Sequence, residues 1–152
     1  MENIMENTGT QLQKEEIFKL LSGKLLMLIN RYSQNRLKQV NVNITVEQWS
    51  VLTCLWEKDK VTQQALSDIT RRDKASMTRL IDNLEKSHLV VRVPDSSDRR
   101  ANLIYLTQKG IEAKKQASEV IGRAIEDIMK FISDDEIDFF RNILNRIMDN
   151  IN

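Results

Sequence analysis

Covalent chemistry has little to work with in this 152-residue chain. There is one histidine, His88, and one cysteine, Cys54, and neither stands at a spacing that would build a nucleophilic triad or a metal site. The four glycines, Gly9, Gly23, Gly110 and Gly122, are scattered, so no loop is rich enough in them to cradle a phosphate. Carboxylates are plentiful but read as helix caps and solvated faces. The expectation is a protein that is not an enzyme and needs no cofactor or metal. What remains is charge. The stretch "VPDSSDRRANLIYLT", Val93 to Thr107, sets Asp95, Asp98, Arg99 and Arg100 in a short loop between two apolar runs. Alone, it is either a solvated hairpin whose ion pair is worth at most about 1 kcal/mol, or a probe for something anionic.

The formal net charge of the whole chain is only +1. That figure hides an asymmetry. From Arg71 to Arg100 there are eight basic residues against five acidic ones, a net +3, while the rest of the chain carries 15 basic and 17 acidic. A hydrophobic share of 41% with 30% charged residues fits an ordinary soluble globular protein. The length fits one domain, or one domain with an extension that pairs with a second copy. The polar start "MENIMENTGTQLQK" has no basic head or apolar core of a signal peptide, and the longest apolar run is "LLMLI". With a single cysteine, which suits a reducing compartment, the expected location is the cytoplasm. Cys54 lies between Leu52 and Leu55, where it reads as a small core residue or, alternatively, a redox sensor.

The elements that would position the charged loop follow from periodicity. Residues 1–13 read as a disordered lead-in. Ile17, Leu20, Leu21, Leu25, Leu28, Ile29 and Tyr32 recur at helical spacing. Thr45 and Gln48 form a capping box for a second helix, with Trp49, Leu52 and Leu55 or Trp56 as its stripe. A short helix near Thr62 carries Ala65, Leu66 and Ile69. The basic turn "TRRD" follows, and Asp73 caps a fourth helix with Met77, Leu80, Ile81 and Leu84 on its buried face. The period then changes: "LVVRV", ended by Pro94, and "NLIYL" predict two strands and a hairpin. Thr107 caps a long helix carrying Ile111, Ala117, Val120, Ile121, Ala124, Ile125, Ile128 and Ile132, and "SDDE" opens a last one with Ile137, Phe140, Ile143, Leu144, Ile147 and Met148.

The predicted fold is mainly α with a small β-hairpin. Two short helices, a tight turn, a helix and a hairpin make a winged helix-turn-helix over 44–107. Residues 14–43 and 108–152 form the flanking helices, whose stripes are wider than so small a body can cover. A second copy is the simplest cover, so those segments are expected to be a dimerisation region. At 100° per residue, with Met77 inward, Ala75 and Arg79 point outward and Ser76 and Thr78 sit on the shoulders. Small, hydroxylated residues followed by an arginine suit close approach to a major groove, although a solvated helix face would look the same.

In order and spacing, "ITVEQWSVLTCL", "VTQQALSDI", "KASMTRLIDNLEKSHLVVR", "DSSDRR" and "LTQKG" resemble the MarR family of bacterial transcriptional regulators. The likeness covers roughly Ile17 to Met148 and is densest from Ile44 to Gly110. It implies a homodimer with interlocked terminal helices that binds a pseudo-palindromic double-stranded DNA operator, a repressor released by a small aromatic or anionic effector held between dimer helices and winged helix. The expected DNA-facing residues are Arg71, Arg72, Lys74, Ala75, Ser76, Thr78 and Arg79, with the wing's Asp98, Arg99 and Arg100. The wing matches the family's Asp-x-Arg, which implies that Arg100 enters the minor groove, Asp98 orients it and Arg99 lies near the phosphates. Two departures stand out. His88 occupies a position commonly glycine in the family, and Cys54 does not match the first-helix cysteine by which some members sense oxidants. The weak overall charge leaves open a second class of function, a winged-helix module that binds another protein.

Overall fold

Short polar residues fix where most elements begin. A computed structural model describes residues 2–58, 60–96 and 101–151, with residues 2–10 as backbone only. Helix α1 spans Glu2–Lys19, a wide π-type turn occupies Leu20–Lys24, and α2 spans Leu25–Gln39. Helix α3 (Val46–Glu57) starts at the capping box, where Thr45 Oγ1 accepts from the Gln48 N–H at 3.1 Å and Gln48 Oε1 accepts from the Thr45 N–H at 2.9 Å. Strand β1 (Val61–Thr62) runs into α4 (Gln63–Thr70), capped by Thr62, and α5 (Lys74–Lys86) is capped by Asp73. Strands β2 (Val90–Pro94) and β3 (Asn102–Leu106) form the hairpin. Helix α6 (Gln108–Met129) is capped by Thr107, and α7 (Asp134–Ile151) follows the Ser133–Glu136 box.

Three features depart from the expectation. Segment 1–13 is helical from Glu2, where a disordered lead-in was expected. Its Glu, Gln, Lys and Met residues are good helix formers, and the segment continues the stripe-bearing helix behind it without a break. That helix is itself bent at Gly23, where the backbone leaves helical geometry at φ 167° and ψ −39°. The hairpin gains a third strand: β1 pairs antiparallel with β3, Val61 opposite Ile104 and Thr62 opposite Leu103. Two residues are too short a run for a period to register.

The core lies inside the helix-turn-helix. Leu37 of α2, Val51, Leu52 and Leu55 of α3, Leu66 of α4, Met77, Ile81 and Leu84 of α5 and Ile104 of β3 are all 0% exposed. Leu55 takes the inward position that the stripe left open, and Trp56 points out. Helix α6 closes this core with Ala117 and Ile121. It also meets Leu89, the residue before β2, at close range. A Cβ on Gly110 would lie 2.0 Å from the Leu89 carbonyl oxygen, so only glycine permits this crossing. Helix α7, by contrast, buries none of its residues within the chain.

Candidate nucleic-acid interface

The chain turns from α4 into α5 through left-handed backbone at Arg71, with φ 51°. The N–H of Arg72 donates to the Ser67 carbonyl at 3.0 Å and that of Arg71 to Asp68 at 3.3 Å, which satisfies the carbonyls at the end of α4. Arg71 is thereby exposed at the turn, with Arg72 half-buried beside it. Asp73 then opens α5. Its Oδ1 accepts from the Ser76 N–H at 2.9 Å and its Oδ2 from the Ser76 hydroxyl at 2.6 Å. The Ser76 hydroxyl, followed by the Ser76 amide, holds the Asp73 carboxyl below its ordinary value.

Helix α5 is two-faced, as its sequence predicts. Met77, Ile81 and Leu84 are fully buried, Leu80 is half-buried, and Lys74, Ala75, Ser76, Thr78 and Arg79 are all exposed. Arg71, Lys74 and Arg79 therefore place three cations on or beside one surface that also carries small side chains. Asp98, Arg99 and Arg100 lie outside the described residues. Their loop is nevertheless closed at its base, where the Asp95 N–H donates to the Ala101 carbonyl at 3.0 Å.

A group that the sequence reading missed ties the hairpin to α5. Arg92, on β2, donates from Nη2 to Asp82 Oδ1 at 2.6 Å and from Nη1 to Glu85 Oε2, while its backbone N–H donates to Glu85 Oε1 at 3.1 Å. Nη2 also reaches Gln63 Oε1, on α4, at 3.5 Å. Partial burial alone would lower the Arg92 pKa, but the bonds to Asp82 and Glu85 outweigh it and the net shift is upward. A guanidinium bonded to two carboxylates one turn apart fixes the strand's direction relative to the helix. The hint was a lone arginine inside the apolar run "LVVRV"; nothing in the sequence pointed to Gln63.

The far end of α5 is bolted to α6. His88 adopts left-handed backbone at φ 59°, Leu89 N–H donates to the Leu84 carbonyl and His88 N–H to Glu85, both at 2.9 Å. Histidine thus fills the glycine-like position without losing the helix end. Three successive carbonyls there accept from α6: Ser87 from Lys109 Nζ at 2.9 Å, His88 from the Thr107 hydroxyl at 2.7 Å, and Leu89 from the Thr107 N–H at 3.1 Å. These bonds tie the start of α6 to the chain leaving α5. Helix α6 is also joined to α2, where Arg36 and the Tyr32 hydroxyl (3.0 Å) both bond the Asp127 carboxylate. The Arg36 bond, followed by that of Tyr32, lowers the Asp127 pKa.

Cys54 packs against the core, and burial, followed by nearby Glu57, pushes its thiol pKa up. That suppresses the thiolate and fits the core reading of this residue. Among the described residues no cluster of His, Cys, Asp and Glu could hold a metal ion, and no helix is long and apolar enough to cross a membrane.

Residues 44–101, the winged helix just described, match the model of the MarR family. Over these residues the chain resembles the MarR family. It is similar to the organic hydroperoxide resistance transcriptional regulator of Bacillus subtilis, with 28% identity over 107 residues, 67% of this chain and 73% of that protein. It is also similar to the multiple antibiotic resistance protein MarR of Escherichia coli, with 24% identity over 129 residues, 83% of this chain and 90% of that one. A mutant MarR from E. coli complexed with operator DNA superposes with TM-score 0.73 at 25% identity, covering 87% of this chain and 95% of that one. Family members are transcriptional regulators, not enzymes, in keeping with a chain whose only histidine and cysteine are built into a helix end and a core.

Proposed function

We propose that the chain is a homodimeric, sequence-specific DNA-binding transcriptional regulator, a repressor that leaves a pseudo-palindromic operator when a small effector binds. One observation carries this reading. The outward face of α5 is cationic and small-residued, fully exposed, and locked at both ends and to the wing, as a helix entering a major groove must be. Arg71, Arg72 and Lys74 meet phosphates, Ala75, Ser76, Thr78 and Arg79 face base edges, and Arg100 enters the minor groove with Asp98 and Arg99 beside it. The operator complex of a mutant E. coli MarR supports the same docking.

The dimer reading rests on α7, which has no buried residue in one chain, and on the exposed apolar side chains of the segments that flank it. A second copy laid against 14–43 and 108–152 would cover them. For the effector, the supporting chemistry is a groove of about 540 Å³ between α3 and α6, lined by Trp56, Ile111, Lys114, Lys115, Ser118 and Glu119. Lys114 Nζ lies 5.0 Å from the centroid of the Trp56 ring, so an aromatic anion would find an aromatic face and two cations. Binding there acts on α6, which is bolted to α5, and so would shift the spacing of the two reading helices.

Fluorescence-anisotropy titration of fragments from the chain's own promoter region tests the reading. Affinity should fall with salt at a slope of about −0.9 per phosphate neutralised. Arg100→Ala should abolish tight binding while the dimer stays folded. Wild-type affinity in that variant overturns the wing's role, and absence of any specific fragment favours the protein-binding module.

A further inference from the structure

Resting on that DNA-binding reading, we propose that Thr78 meets DNA with its methyl group and not its hydroxyl, and so reads the C5 methyl of a thymine in the major groove. A threonine hydroxyl has one proton to give. Here it is given to the Lys74 carbonyl, one turn back along α5, at 2.8 Å. The same oxygen accepts from Gln63 Nε2 at 2.6 Å. The orientation of that amide is set from behind. Arg92 can only donate, so Gln63 turns its carbonyl oxygen to the guanidinium, 3.5 Å away, and its NH₂ to Thr78. Arg92 is held in turn by Asp82 and Glu85. The hydroxyl is thus fixed from two sides, which selects one of the two rotamers open to a helical threonine. The methyl is the group left for the exposed face.

The neighbours on that face fit the same reading. Ala75, one turn earlier and exposed, also offers only a methyl. The Ser76 proton is held by Asp73 Oδ2 at 2.6 Å. Arg79 supplies the hydrogen-bond donors that Thr78 and Ser76 do not.

The test uses the full-length protein and the duplex that wild type selects from a randomised library. Each thymine of that duplex is replaced in turn by deoxyuracil, which removes only the C5 methyl. Wild type should lose about fourfold in affinity at one such position in each half-site, the worth of one buried methyl. Thr78→Val keeps the methyl and should keep that sensitivity, with affinity within about twofold of wild type. Thr78→Ser keeps the hydroxyl, and should bind the thymine duplex about fourfold more weakly and be indifferent to uracil at that position. Both changes lie on an exposed face, away from the core. The proposal is overturned if no replacement weakens wild type, or if Thr78→Ser behaves as wild type while Thr78→Val fails. If wild type selects no duplex at all, the DNA-binding reading falls first and takes this one with it.

Discussion

The winged helix and the terminal helices are built from similar stripes of apolar residues, yet they fare differently. In the former, Leu52, Leu55, Met77 and Ile81 are 0% exposed; in the latter, Phe131 is 90%, Ile151 77%, Phe18 69% and Phe139 68% exposed. Periodicity is thus common to both and closure is not. Five helices, α2 to α6, and the three-stranded sheet enclose the winged-helix core within one chain. A helix that stands alone gains little from propensity, and α7 buries none of its residues within the chain. The two regions are expected to answer differently to dilution, to mutation and to acid.

The largest effect should come from opening the closed region. Leu52→Ala leaves a cavity in a fully buried site and should cost about 2–5 kcal/mol in urea unfolding. For the winged helix that loss should be the same at every protein concentration. A loss that shrinks as protein is added would place Leu52 at a subunit contact and erase the contrast. Charging the open region should act next. Phe140→Asp should weaken self-association by roughly 30- to 100-fold, about 2–3 kcal/mol, read by analytical ultracentrifugation. Its winged-helix signals in NMR spectra should stay in place, and an unchanged dissociation constant would remove Phe140 from the interface.

The smallest effect lies within the terminal helices, where α2 meets α6. The Asp127 pKa is lowered in the folded chain, so its contribution is present above the ordinary aspartate range and is lost as pH falls through that range toward the folded value. Asp73 and Glu136 are lowered too, by Ser76 and Ser133. The acid limb of wild type therefore sums several groups, and the difference from Asp127→Asn isolates one. The variant should lose stability at neutral pH and converge on wild type once the pH has fallen past the lowered folded value of Asp127. Parallel curves through that range would mean that the α2–α6 tie contributes nothing.

Much of this molecule was legible because its signals are local. Thr45 with Gln48, Asp73, Thr107 and Ser133 with Glu136 each satisfy a helix end a few residues away, and each starts the helix it was expected to start. Ala75 and Arg79 as outward residues, with Ser76 and Thr78 on the shoulders, followed from the angular position of Met77 alone, and all four are exposed. Long-range pairing left less trace. Strand β1 exists because Val61 lies beside Ile104, 43 positions on, and Arg92 finds Asp82 and Glu85 only when the hairpin folds back on α5.

By itself, then, the sequence determined the helix starts, the apolar faces, the hairpin and the concentration of positive charge between Arg71 and Arg100, since each depends on neighbours within a turn or two. Tertiary structure decided which groups remain free to act. The Thr78 hydroxyl looked like a reader until Gln63 reached it from α4, and Gly110 looked incidental until α6 crossed Leu89. Hydrogen-bond capacity and close contact are properties of what lies across space, and spacing along the chain does not encode them.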